Sequence, residues 1–133
     1  MSEQKPDWEA IFEMICVTFI VVACIFHCTP AASQTIEQVR VELHRLGVPQ
    51  AHIVLAQARL ETSNFTSTRC RRDHNLFGIK HGGRYARYAR WQDSVADYKK
   101  CISCRYKGGD YYAFLKRIGY ASDPQYVAKL KRF

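Results

Sequence analysis

Residues 51–62 read AHIVLAQARLET, and at 3.6 residues per turn Ala51, Val54, Leu55, Ala58, Glu61 and Thr62 share one helical face. A carboxylic acid therefore sits at the end of an otherwise apolar stripe. Desolvation on that face and the negative C-terminal end of the helix dipole both disfavour its ionised form, so Glu61 is expected to titrate above an ordinary carboxyl group. The same spacing also fits a glutamate paired with one of the arginines nearby, and periodicity does not choose between the two. Pro49 falls where a first helical turn tolerates proline, which places the start of this helix.

Working outward, Thr35 and Gln38 have capping-box spacing, and Ile36, Val39, Leu43 and Leu46 recur at helical intervals up to a glycine stop at Gly47. Beyond Glu61, residues 64–72 read as a polar, basic loop, followed by the apolar patch Leu76-Phe77-Gly78-Ile79 and the pair Gly82-Gly83. Tyr85 and Tyr88 with alternating arginines support at most a short extended segment. A further helix is expected from about Trp91 to Ser103, with Trp91, Val95, Tyr98 and Ile102 inward, before Gly108-Gly109 breaks the chain. Tyr112, Leu115 and Ile118 mark a helix stopping at Gly119, and Asp123-Pro124 reads as an N-cap with proline in the first turn of a last helix through Tyr126, Val127 and Leu130. The domain over 35–133 is thus mainly helical, with little room for sheet.

The chain has 133 residues, 47% of them hydrophobic, which suits one compact domain with a short appendage. Eleven glycines and prolines and 24% charged residues exclude a collagen-like, low-complexity or wholly disordered chain. The net charge of +8 is unevenly spread: residues 1–30 carry four acids against Lys5, so residues 31–133 carry +11. Such a basic domain suits a polyanion, whether nucleic acid, an anionic membrane surface or a bacterial cell wall. Arg69, Arg71, Arg72, Arg84, Arg87 and Arg90 lie around Tyr85 and Tyr88, but no nucleic-acid motif accompanies them, so nucleic acid is not expected as a partner.

After a tail over 1–10, residues 11–28 read IFEMICVTFIVVACIFHC, with Glu13 and His27 as the strongly polar side chains. As a helix this run spans roughly 27 Å, enough for a bilayer core. An uncleaved signal anchor is the first expectation. A removable signal ending near Ala31-Ala32-Ser33 and a lipobox at Val21-Val22-Ala23-Cys24 are the alternatives. A linker over 29–34 follows. Of six cysteines, Cys16, Cys24 and Cys28 fall in the apolar run, leaving Cys70, Cys101 and Cys104 for the domain. Helical geometry makes a Cys101–Cys104 bond awkward, so either Cys70 joins one of them or no bond forms. Neither a cofactor nor a metal is expected; Cys70 with His74 and His81 is the weak candidate cluster.

Four blocks carry a resemblance. Ala56-Gln57-Ala58-x-x-Glu61-Thr62-Ser63, Asn75-Leu76-Phe77-Gly78-Ile79-Lys80, Tyr88 to Trp91 with Ser94 and Asp97-Tyr98, and Gly119-Tyr120-Ala121-Ser122-Asp123-Pro124-x-Tyr126 come in this order over about residues 48–130. Together they resemble the peptidoglycan N-acetylglucosaminidases of glycoside hydrolase family 73, which include flagellar and autolysin domains. The resemblance implies an α+β, lysozyme-like fold with a long cleft, and cleavage on the reducing side of N-acetylglucosamine in peptidoglycan glycan strands. It matches Glu61 to the family's catalytic acid, as befits an acid protonated near neutral pH. Tyr120 matches a cleft tyrosine able to orient a water or the substrate acetamido group, or else is a core aromatic. Asn75 and Phe77 match the block that lines and braces the cleft, although Asn75 also suits a turn residue bonding its own backbone. Tyr88 and Tyr126 are further candidates for substrate binding.

The chain departs from that pattern at the β-lobe. His81-Gly82-Gly83-Arg84 is nearly all that remains of it, and no Asp or Glu occurs from Asn75 through Gln92. Asp93 is the first acid after the gap and sits where capping explains it. The expected mechanism is therefore protonation by Glu61 with assistance from the substrate's 2-acetamido oxygen, a recognised exception to the two-carboxylate rule, or with a water held by Tyr120. A lytic transglycosylase is the alternative enzyme, and a catalytically weak cell-wall binding or assembly factor is the alternative class. The expected product is a monomer at the bacterial inner membrane, facing periplasm or exterior, or else secreted or lipid-anchored. Residues 31–133 should then be exported, so a reporter fused after Phe133 should be active outside the cytoplasm; activity confined to the cytoplasm would contradict this topology.

Overall fold

The computed structural model of the chain describes residues 34–133. The expected membrane segment over 11–28 lies outside the described residues; among those described, no helix is long and apolar enough to cross a membrane. The unit Ser33–Phe133 is a mainly helical α+β domain in the order α1 (Ile36–Arg45), α2 (Ala51–Glu61), α3 (Thr68–Asp73), β1 (Lys80–His81), β2 (Arg84–Tyr85), α4 (Trp91–Cys101), a 3₁₀ turn at Ser103–Arg105, α5 (Tyr111–Arg117) and α6 (Tyr126–Leu130). The β-lobe is reduced to one antiparallel pair, Lys80 opposite Tyr85 and His81 opposite Arg84. Gly82 and Gly83 close its two-residue turn with φ of +56° and +78°, a conformation that glycine adopts without a Cβ penalty.

The helices begin and end where local chemistry dictates. At α1 the capping box forms: Gln38 N donates to Thr35 Oγ1 at 3.1 Å and Thr35 N to Gln38 Oε1 at 2.8 Å. Gly47, at φ +61°, ends the helix in a Schellman motif, its N–H reaching His44 O while Val48 N reaches Leu43 O. The same motif ends α5, where Gly119 N bonds Lys116 O and Tyr120 N bonds Leu115 O. That turn delivers Tyr120 to a fixed place. Asp110 caps α5 by accepting from Tyr112 N at 2.8 Å.

Three boundaries differ from the sequence reading. The region 64–72 is not all loop, because Ser67 accepts from Cys70 N at 3.2 Å and caps α3, anchored inward by the fully buried Cys70. Six residues are too few to show a helical period. Pro49 precedes α2 instead of entering it; the N-cap is Gln50, in the left-handed region at φ 52°. Asp123-Pro124 likewise forms a turn before α6, with Asp123 accepting from Gln125 N at 2.9 Å, and the helix starts at Tyr126.

α1 packs against α2 and α4, and α2 against α6. Val39, Leu43, Val54, Ala58, Leu76, Val95 and Tyr98 are wholly buried between them. Ile36 is exposed, and Trp91 and Ile102, expected inward, are only partly buried. Asn75 is buried and serves as a brace: its amide donates to Ile79 O at 2.9 Å and Ala86 O at 3.0 Å, while Oδ1 accepts from Ile79 N at 3.0 Å. One side chain thus fixes both ends of the hairpin. Asn75→Ala takes the side-chain partner from Ile79 N and Ala86 O, while Ile79 O keeps its bond from Ala86 N, and should lower stability by about 1–3 kcal/mol; an unchanged urea midpoint would show that the brace is dispensable.

Candidate active site

A cleft of about 710 Å³ runs between the end of α2, the hairpin and the segment joining α5 to α6. Glu61, the last residue of α2, lines it together with Phe77, Gly78, Tyr85, Tyr120 and Tyr126. Behind Glu61, Thr62 turns the chain: its hydroxyl donates to Ala58 O at 2.6 Å and accepts from Phe65 N at 2.9 Å. Ser63, Asn64 and Phe65 then follow in the left-handed region, with Phe65 buried. Three successive non-glycine residues in that conformation carry backbone strain, and they lie directly beyond the cleft acid.

Glu61 has surface open to solvent along the cleft, yet the cleft walls crowd its carboxylate. Burial raises its pKa above the ordinary 4.5, opposed by a smaller, downward effect from the hydroxyl of Tyr126. Tyr126 donates to Glu61 Oε1 at 3.0 Å. No arginine or lysine pairs with Glu61 among the described residues, so the ion-pair reading does not hold. The other oxygen, Oε2, accepts no hydrogen bond from the described residues and lies 3.5 Å from where a Cβ on Gly78 would stand. Gly78 has φ +63°, which glycine tolerates, and its missing side chain leaves that oxygen open.

The remaining candidates fall into two groups. Tyr120 and Phe77 line the cleft. Tyr120 donates its hydroxyl to Phe77 O at 2.9 Å, and its ring packs 5.6 Å from that of Tyr126. Phe77 is buried and packs 4.3 Å from Tyr98. It is Tyr126, and not Tyr120, that touches the carboxylate. Asn75 and Tyr88 do not line the cleft: Asn75 braces the hairpin as described, and Tyr88 donates to Asp97 at 2.6 Å. Asp97 also receives His81 Nε2 at 2.7 Å, tying the hairpin to α4. Asp93 accepts from Arg90 N at 3.1 Å, which accounts for it as a cap.

Periodicity and spacing missed several residues of this cleft. Asp123, read as a cap, is a cleft carboxylate held low by Lys129 and by the Gln125 backbone N–H. Its environment pushes its pKa in the opposite direction to that of Glu61. Tyr85, on β2, lines the cleft with Arg69 stacked 3.3 Å from its ring centroid. Lys80 and His81 complete the hairpin side, and Lys80 has no ion-pair partner among the described residues. The signal for all three was the basic, aromatic run from Lys80 to Tyr88, but only the hairpin register shows which members face inward.

Cys70, His74 and His81 have separate partners in Gln34, the Tyr88 carbonyl and Asp97, and no group of three metal-ligating side chains gathers among the described residues. Cys70, Cys101 and Cys104 are free thiols, Cys70 buried.

With this geometry established, the family follows. Residues 36–133 match the glucosaminidase family model, described as mannosyl-glycoprotein endo-beta-N-acetylglucosaminidase, and the chain belongs to this family. No curated protein and no solved structure matches it. The chain is a glycoside hydrolase, and its family supports a peptidoglycan-degrading glycosidase.

The raised pKa of Glu61 has a sign that melting can read. The folded state holds this proton more tightly than the unfolded chain, so the contribution is complete below the ordinary value of 4.5 and is lost as pH rises through the raised value. Wild type should therefore lose stability relative to Glu61→Gln across that window, measured by thermal unfolding of both proteins against pH. A difference that stays flat, or that grows in favour of wild type, would show that the native carboxylate is not desolvated.

Proposed function

We propose that the protein hydrolyses the β-1,4 bond between N-acetylglucosamine and N-acetylmuramic acid, with Glu61 as the general acid. The observation that carries this reading is a cleft carboxylate raised by burial, unpaired with any described cation, and held by Tyr126 at one oxygen only. Its free oxygen protonates the glycosidic oxygen as the bond to C1 breaks. The substrate's acetamido oxygen closes on C1, which gives an oxazolinium. Ionised Glu61 then takes a proton from a water as that water adds to C1, restoring the acid. This route uses no second carboxylate, and Asp123, the other acid lining the cleft, is paired with Lys129.

Tyr120 suits the assisting step. Its proton is committed to Phe77 O, so its oxygen is left as an acceptor for the acetamide N–H. Fixing that N–H would aim the acetamido carbonyl at C1. Phe77, buried at the cleft wall, supplies the carbonyl that holds the Tyr120 hydroxyl.

Charge supports the substrate class. Lys80 lines the cleft without an ion-pair partner among the described residues, while Asp123 is paired with Lys129 and burial favours the protonated form of Glu61. A glycan bearing acidic lactyl and peptide groups complements that excess; a neutral chitobiose core does not. An N-terminal segment holding the domain at the outer face of the inner membrane would place the cleft next to such strands.

Glu61→Gln keeps the shape but delivers no proton, so reducing-end release from peptidoglycan should fall about 10²- to 10⁴-fold without a lower melting temperature. Near-normal turnover in a less stable variant would instead make Glu61 a structural residue.

A further inference from the structure

A file of buried polar side chains ends on the carboxylate of Glu61. Gln57 lies one helical turn before it on α2 and is wholly buried, as is Tyr98; Tyr111 is 2% exposed. The hydroxyl of Tyr98 donates to Gln57 Oε1 at 2.6 Å and stands 3.0 Å from that of Tyr111. On the other side, Gln57 Nε2 donates to the Tyr126 oxygen at 3.3 Å, and Tyr126 donates to Glu61 Oε1 at 3.0 Å. Each link fixes the direction of the next. Because Tyr98 gives its proton to the amide oxygen, the amide nitrogen must face Tyr126. An amide nitrogen only donates. The oxygen of Tyr126 therefore accepts there, and its single proton is left for Glu61.

This direction matters for where the proton of the acid sits. A protonated Glu61 has two choices: it can carry the proton on Oε2, beside Gly78, or on Oε1, pointing at Tyr126. The second choice is open only if Tyr126 can donate elsewhere, and the Gln57 nitrogen denies it that acceptor. We propose that Gln57 is a positioning residue that keeps the catalytic proton on the cleft-facing oxygen of Glu61, by committing the Tyr126 hydroxyl to the other oxygen. The inference rests on Glu61 being the general acid.

Two substitutions separate positioning from packing. Gln57→Glu, where its carboxyl is ionised, puts an acceptor in front of Tyr126, which then donates to it and lets Glu61 turn its proton inward. The plateau kcat should fall about 100-fold or more, within the range of general acid catalysis, with KM unchanged. The alkaline limb of the pH profile should move to higher pH, because ionised Glu61 loses its donor. Gln57→Leu removes the amide but offers no acceptor, so Tyr126 still donates to Glu61. This variant should melt lower while kcat stays within about tenfold of wild type and its alkaline limb stays in place. The opposite ranking, with activity following melting temperature, overturns the proposal. If Gln57→Glu does not fold, Tyr98→Phe frees the amide to turn over, and a kcat lowered at constant KM is expected; an unchanged kcat overturns the proposal. Glu61→Gln in the same assays keeps the two claims apart. If it is active, the general-acid reading itself fails. If it is inactive while the Gln57 and Tyr98 variants behave as wild type, only the positioning role fails.

Discussion

The hydrogen bond from Tyr126 to Glu61 is the contact on which the site depends. It joins the end of α2 to the start of α6, which are also linked by the hydrogen bond from Gln57 to the same hydroxyl. It satisfies one carboxylate oxygen without adding a positive charge. An arginine in that place would hold the acid ionised, whereas a neutral hydroxyl leaves burial to raise its pKa. The surrounding structure keeps this arrangement rigid. The Schellman turn at Gly119 sets Tyr120 against the ring of Tyr126, and the left-handed run from Ser63 to Phe65 turns the chain away immediately after Glu61.

The reduced hairpin gives the cleft an unusual balance. With two residues in each strand, it brings Lys80, His81 and Tyr85 to the cleft but no carboxylate. Lys80 gives it a positive charge, and burial shifts the acid it faces toward its protonated form. A second acid in this cleft comes from the other wall, as Asp123, and is already engaged with Lys129. In the mechanism proposed above, the nucleophile at the anomeric carbon is the substrate's own acetamido group.

Much of this was legible in the sequence because the relevant signals are local. The capping box at Thr35 and the glycines at positions 47 and 119 placed helix ends, and the apolar period of 51–62 put Glu61 at the end of the stripe, where the cleft opens. Signals that need a partner far along the chain were not legible. Tyr120 and Tyr126 lie six residues apart, and their spacing does not say which hydroxyl meets an acid some sixty residues earlier; the turn at 123–126 decides that. Tyr88 looked like a cleft residue by its place in an aromatic run, but its hydroxyl is drawn to Asp97. Asn75 keeps its place in the motif for the backbone it braces. Gln57 was visible only as one letter of a block, since its importance lies in a hydrogen-bond direction.

The central claim is that one protonated acid, with help from the substrate, hydrolyses the bond after N-acetylglucosamine. Mass analysis of the fragments from purified peptidoglycan digested by the protein tests it most directly. The account predicts fragments that have gained one water and end in reducing N-acetylglucosamine. Fragments ending in an anhydro ring on muramic acid, or strands bound without any cleavage, would contradict it.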